Sequence, residues 1–442
     1  MSAATGGART YGQLLRHNAF LRVFTAGLAS ILGSSIASVC LIWIVFERTG
    51  SAWDVAYLGL SWTVASISFS VFGGTWVDRY DRRLLMVTSE FASAAAMASI
   101  ALDLTFRGLD LLPIVGAYFV IGSFSTFFNP AEQSIIPSLV DAPQVADANG
   151  MVRSSRSALN FVGTAVAGVL IVTAGPILGV AMNAATFAIS GSLLLGMRVP
   201  AGRSLPARAE GRSRGYFADV GAGFRWLYRA RGLFQLTLSA MAFNFCSAIF
   251  GTFFVIFATV VLHGSGIVFA GLLAAEVAGA GVGSLLVGPT RAVRWAGWAW
   301  VGLYGSASGA VCLLFVLVPV LPVSVAAVFS LGCLGAYAGT AWLTAAQLIV
   351  PTEMQGRYFG IDNLGSIGII PFAQIGGALL VASIGIHGTY LLTGLAWVAA
   401  GLLFLLPRAL REVGYRAPRA PSPRTDDAAA GTPGSPEENR YA

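Results

Sequence analysis

Seven stretches of this 442-residue chain contain no Asp, Glu, Lys or Arg, and three of them run for 41, 58 and 45 residues. A bilayer crossing takes about 20 apolar residues, so each of those three holds two crossings. The stretches cover 23–46, 55–77, 111–131, 157–197, 232–275, 295–352 and 363–407. Charged residues make up 11% of the chain against 56% hydrophobic, whereas a soluble domain carries about 25% charged residues. Too few polar side chains remain to cover a water-facing surface. That excludes a soluble enzyme, a nucleic-acid-binding domain and a disordered chain. The chain reads as an all-α membrane protein.

The pattern predicts twelve helices, near 20–46, 53–77, 84–105, 111–137, 151–173, 177–198, 233–262, 267–290, 295–318, 322–349, 357–383 and 387–407. Gly175-Pro176 and the run from Pro319 to Pro322 supply tight turns on one side. Arginine sets the orientation. All 27 basic residues are Arg, and an even span count with the N-terminus inside puts 25 of them on the inner face, leaving Arg48 and Arg107 outside. This is the positive-inside pattern. It accounts for the net charge of +7 without a nucleic-acid partner. The expected location is the cell membrane, with both termini cytoplasmic. The first apolar segment runs to Phe46, longer than a signal-peptide core of about 7–15 residues, so it is expected to stay as the first span.

The expected organisation is a cytoplasmic N-terminus (1–19), a six-helix bundle (20–198), a cytoplasmic linker (199–232), a second six-helix bundle (233–407) and a disordered cytoplasmic tail (408–442). Within the linker, Tyr216 to Tyr228 spaces aromatic and apolar residues for an amphipathic helix on the inner leaflet. An internal repeat supports the two-bundle division. Gln133-Ser134-Ile135-Ile136-Pro137 recurs as Gln347-Leu348-Ile349-Val350-Pro351, at the inner ends of spans 4 and 10. Parallel repeats of this kind are a transporter architecture.

Several chemistries are disfavoured. Cys40, Cys246, Cys312 and Cys333 form no C-x-x-C pair, and His17, His263 and His387 show no metal-ligand spacing. No metal site is expected. With no Lys in the chain, an ATP-binding P-loop cannot form.

Between spans 2 and 3 the chain reads G-G-T-W-V-D-R-Y-D-R-R, from Gly73 to Arg83. Glycines allow close helix approach, and Asp78 lies at the membrane boundary among arginines. The pattern resembles the loop 2–3 signature of the major facilitator superfamily. Gly74, Asp78, Arg79, Arg82 and Arg83 fall on its positions, and Asp81 stands where many members carry Gly. D-R-x-D-R-R is similar to the macrolide-efflux and enterobactin-exporter branch, as are Phe128 to Val140 and Asp219 to Leu233. The resemblance implies twelve transmembrane helices in two six-helix repeats. It implies a secondary active transporter, proton-coupled in export of a small amphiphilic substrate such as a drug, secondary metabolite or siderophore. It also implies an inner gate in which Asp78 and Arg79 latch onto the inner end of span 11, near Asp362. No cofactor beyond the proton gradient is expected, and no partner beyond the substrate and the bilayer; the chain is expected to be a monomer. Span 5 carries Gly163 and Gly168 without the Pro and second Gly of the antiporter motif. An importer or uniporter therefore stays open, and the Arg-rich linker and tail keep open a non-transporting membrane sensor or scaffold on the same fold.

Charge at the bilayer centre costs about 2.5–3.5 kcal/mol on insertion scales. Glu276 lies near the middle of span 8 with no Arg within 14 residues in sequence. An apolar surround disfavours a charged carboxylate, which suits a group that exchanges a proton for substrate. Glu276 is the first coupling candidate, followed by Glu132 in span 4 and Asp103 in span 3. Glu132 can instead pair with an inner Arg, and Asp103 with Arg107, four residues on. Glu90 and Arg22 read as latch or interface groups. Asn160, Asn244, Phe254, Trp342 and Gln374 are substrate-cavity candidates, since scattered polar groups among aromatics suit an amphiphile.

Overall fold

The computed structural model describes residues 14–197, 224–225, 227–290, 298–350 and 352–404; the side chains at 70–79, 142, 288–290, 298–303, 345, 348, 352–353 and 356–357 also lie outside the description. The elements are α1 (Asn18–Thr49), α2 (Ala52–Arg79), α3 (Arg82–Phe106), α4 (Leu111–Leu139), α5 (Val145–Thr173), α6 (Pro176–Leu195), α7 (Arg231–Thr252), α8 (Gly266–Thr290), α9 (Trp298–Leu317), α10 (Leu321–Ile349), α11 (Thr352–Gly368) and α12 (Ile370–Leu403). No strand occurs among the described residues. The helices meet the expected spans, with informative differences. Helix α5 starts at Val145 with Asp147 in its first turn, six residues earlier than expected, because a carboxylate favours a helix N-terminus. Helix α11 starts at Thr352 and stops at Gly368; Pro371, in the first turn of α12, withholds an N–H from the ladder.

Helix α12 contains two limbs. Gly385 has φ 72° and ψ 171°, outside helical space, and a residue with a Cβ rarely adopts that φ. The limb before it follows α7, with Gly377 against Phe253; the limb after it runs back along α9, with Gly394 against Leu313 and Gly401 against Ser306. Counting 370–384 as the continuation of α11, the described chain has twelve long helices. Gly50 (φ 62°), Gly108 (φ 93°) and Gly175 (φ 84°) sit at turns on the same face as Gly385. We call that the short-turn face and its opposite the loop face.

The two halves repeat one packing plan. Helix α2 packs on α4 as α8 packs on α10, and α3 packs on α6 as α9 packs on the 386–403 limb. The halves meet through α5 against α8 and through α2 against the 370–384 limb. Several of these contacts lie towards the short-turn face. Trp43 stacks on Phe269 with ring centroids 5.9 Å apart. Gly168 lies against Ala270, and Gly266 against Ile171.

Helix α7 ends irregularly. A π turn spans Phe257–Val261, and Gly264 N–H donates to Ala258 O at 2.9 Å. Beside it Phe250, Phe254, Phe257, Phe315 and Tyr390 form one aromatic cluster, with Phe257 and Phe315 centroids 4.4 Å apart. The Tyr390 hydroxyl donates to Phe250 O, which satisfies the one polar atom in that cluster.

Candidate functional site

Three adjoining cavities occupy the centre of the molecule. The first, of about 480 Å³, is lined by Ser35 and Ser38 of α1, Gly59 and Trp62 of α2, Asn183 of α6, and Gln374 of α12. The second, of about 830 Å³, is lined by Phe161 of α5, Ser247 of α7, Glu276 of α8, Tyr304 of α9 and Trp397 of α12. Asn160 of α5 lines both. The third, of about 230 Å³, takes Asn244 of α7, Trp342 of α10 and Asp362 of α11, and shares Tyr304 and Gly335 with the second. Among the described lining residues of all three, Glu276 and Asp362 are the only charged ones. The walls are otherwise apolar, aromatic or neutral polar.

Small residues set this geometry. A Cβ on Gly332 would meet the backbone of Glu276, and Cβ atoms on Gly279 and Gly283 would meet the backbones of Phe329 and Cys333. Glycine spacing of this kind lets membrane helices approach to backbone contact, and here it holds α8 against α10 at Glu276 and along the two turns that follow it. On the other side of the cavity, a Cβ on Gly163 would lie 2.7 Å from Ser35 Cβ. The resulting closeness of α5 and α1 sets the Ser35 hydroxyl 2.7 Å from Asn160 Oδ1. Gln374 is buried, and its Nε2 would stand 2.5 Å from a Cβ on Gly59; its Oε1 makes no hydrogen bond.

The structure thus gathers Asn160, Glu276 and Gln374 around the first two cavities, and Asn244, Trp342 and Asp362 around the third. Phe254 is elsewhere. It was expected to line the cavity but is 2% exposed within the aromatic cluster, because the end of α7 turns it towards Phe315 and Phe269.

Glu132 lies outside the cavity lining, inside the N-terminal half. Its Oε2 accepts from Arg156 NH2 at 2.8 Å, the pairing with an inner Arg that the sequence left open. Gly27 makes room, since a Cβ there would stand 2.6 Å from Glu132 Oε1. Glu90, expected at a latch or interface, is instead 3% exposed in the same bundle. Asp103 forms no ion pair with Arg107; its Oδ2 accepts from Asp110 N–H at 3.3 Å, where the chain doubles back between α3 and α4.

At the loop face, the side chains of Asp78 and Arg79 and the surroundings of Gly74 lie outside the description. The neighbouring positions are described. Asp81 caps α3, accepting from Arg83 N–H at 2.8 Å and Leu84 N–H at 3.2 Å. Arg83 Nε donates to Leu194 O at 3.1 Å and its NH2 to Leu195 O, so it satisfies the C-terminal carbonyls of α6. Arg82 reaches Ser134 O of α4 at 3.5 Å. Asp362, expected near the latch, faces into the C-terminal half beside Thr237, Trp342 and Tyr358. No group of three His, Cys, Asp or Glu positioned for a metal occurs among the described residues.

Known proteins agree with this architecture. A bacterial homologue of the human lysosomal transporter Spinster, in an inward-facing state, superposes with a TM-score of 0.69 at 14% identity over 90% of this chain and 98% of its own. A bacterial homologue of the iron transporter ferroportin gives 0.70 at 14% identity over 89% and 98%. In sequence, the multidrug efflux pump Tap of Mycobacterium tuberculosis is 23% identical over 92% of this chain and 96% of its own length. Macrolide efflux protein A of Streptococcus pyogenes is 25% identical over 51% of this chain and 55% of its own length. Residues 11–426 match the model of the family described as transmembrane secretion effector. The chain is a multi-pass membrane transporter rather than an enzyme, and it belongs to the transmembrane secretion effector family of the major facilitator superfamily.

Proposed function

We propose that this transporter exports small amphiphilic compounds in exchange for protons, by rocking its two six-helix halves about the central cavity. The observation that carries the reading is the wall of that cavity, which is apolar and aromatic with carboxylates as its only charged groups among the described residues. Such a wall takes a molecule with a large apolar face and a few polar groups, drawn from drugs, secondary metabolites or siderophores. Two efflux pumps among the sequence relatives support the outward direction. The arginine asymmetry supports a cell-membrane orientation with both termini cytoplasmic. Glu276 is the coupling group of this cavity. It lines the second cavity, where a proton on the carboxyl and a bound substrate would compete, since an unpaired charge there is costly.

Energised inside-out vesicles carrying a pH-sensitive dye test this with a panel of drugs and siderophores. Substrate-dependent proton release is expected from the wild type. Glu276→Gln vesicles should give none, with the protein present at normal level. Wild-type transport rates in that variant would overturn the coupling role.

A further inference from the structure

The N-terminal half contains a second set of ionisable groups that the cavity does not use. Glu90 of α3 and Glu132 of α4 are 3% and 2% exposed. One guanidinium, that of Arg156 on α5, serves both electrostatically, but its bond at 2.8 Å goes to Glu132. The remaining elements facing Glu90 bring no charge: α1 offers Ser30 and α6 offers Ser190. The cluster therefore holds two buried carboxyl groups against one cation. A buried carboxylate without its own counter-ion is costly, and the usual resolution is a proton.

Hydrogen bonding accommodates that proton. Glu90 Oε2 is buried without a hydrogen-bond partner of good geometry, and the Ser190 hydroxyl adjoins it. A carboxylate can only accept, so Ser190 has to donate to it, whereas a protonated carboxyl can donate its one O–H to the serine oxygen. Either form can pair there, and only the neutral form removes the uncompensated charge. It also leaves Arg156 wholly to Glu132.

We infer that Glu90 holds an exchangeable proton at a second site, separate from the cavity carboxyl Glu276. Water reaches the cluster at Arg156, whose side chain is 27% exposed while Glu132 beside it is 3% exposed. Arg156 precedes Ser157, which lines the second cavity, and lies one helical turn from Asn160, which lines two. Release of the Glu90 proton creates a second carboxylate that competes for Arg156. That changes the tie between α5 and α4, and α5 is the helix of this half that packs on α8 of the other. The link to coupling rests on the transport reading above; the proton itself does not.

Infrared difference spectroscopy of the full-length protein in lipid nanodiscs reads the proton without a substrate. The wild type at neutral pH should show the carbonyl stretch of a neutral carboxyl that disappears in Glu90→Gln and persists in Glu276→Gln. Ser190→Ala, which keeps the acid, should shift that band without removing it, and guards against a Gln variant that fails to fold. Exchanging choline for sodium should leave it unchanged. A spectrum with no band lost in Glu90→Gln, a band lost only in Glu132→Gln, or a band abolished by sodium would each overturn the assignment. Absence of transport in vesicles alongside an intact Glu90 band would sink the export reading and leave this one standing.

Discussion

Arg156 is the side chain on which the N-terminal half's buried charges depend. Removing one partner of a buried ion pair leaves the other uncompensated and costs about 3–5 kcal/mol, whereas removing both is often near neutral. Partial exposure of Arg156 puts this case at the lower end. Arg156→Gln should therefore lower the melting temperature of the purified protein more than the double variant Glu132→Gln/Arg156→Gln does. Equal melts would mean that the two side chains do not pair. The sequence made part of this legible. Glu132 stood out as an acid beyond the end of a charge-free stretch, and pairing with an inner Arg was one of its two readings. Glu90 did not, because its position near a membrane border is compatible with either face of α3. Only the rotation of α3 against α6 turns it inward. Phe254 failed for the same reason in reverse. An aromatic residue in an apolar span carries no mark of whether it faces a cavity or its neighbours.

At the scale of elements, the contact of α8 with α10 is a backbone contact. Gly279 and Gly283 face α10 directly, while a Cβ on Gly281 between them would meet nothing within 4 Å. That contrast makes an internal control. Overpacking a tight contact costs about 1–3 kcal/mol, so Gly279→Ala should depress thermal stability and Gly281→Ala should leave it nearly unchanged. Similar melts for the two would contradict the close approach. The G-x-x-x-G spacing of Gly279 and Gly283 was present in the sequence as a helix-packing signal, but it does not say which helix it meets. A second element test lies at the short-turn face. Gly385→Ala places a Cβ at φ 72° and ψ 171°, a region essentially confined to glycine, and should cost about 1–3 kcal/mol, again read as a lower melting temperature. Hydropathy located the helices because charge has to leave the bilayer core. It did not locate the π turn at Phe257–Val261 or the early start of α5, which depend on local hydrogen bonding rather than on apolar content.

For the whole molecule, the described contacts between halves carry a mechanical consequence. Trp43 on Phe269 and Gly266 on Ile171 hold the halves together at the short-turn face. If transport requires these halves to part on that face, a covalent tie there should stop it. The ideal Cβ at Gly266 lies 3.0 Å from Ile171 Cβ, about 0.5 Å short of the spacing that a disulfide spans, about 3.5–4.5 Å, so a small parting of the two helices brings the pair into range. The pair Ile171→Cys/Gly266→Cys, built after Cys40, Cys246, Cys312 and Cys333 are replaced, should cross-link on oxidation with little change in structure. Transport in vesicles should fall to background in the oxidised protein and return on reduction, while the single-cysteine variants should be indifferent to oxidant. Undiminished flux through the cross-linked protein would mean that substrate leaves by a path that does not open this face, and the rocking of two halves would have to give way to movement within one of them. The division into halves was legible from the repeated Q-x-x-x-P ending of spans 4 and 10. The face on which they touch was not, since apolar spans read the same whichever side of the bundle is closed.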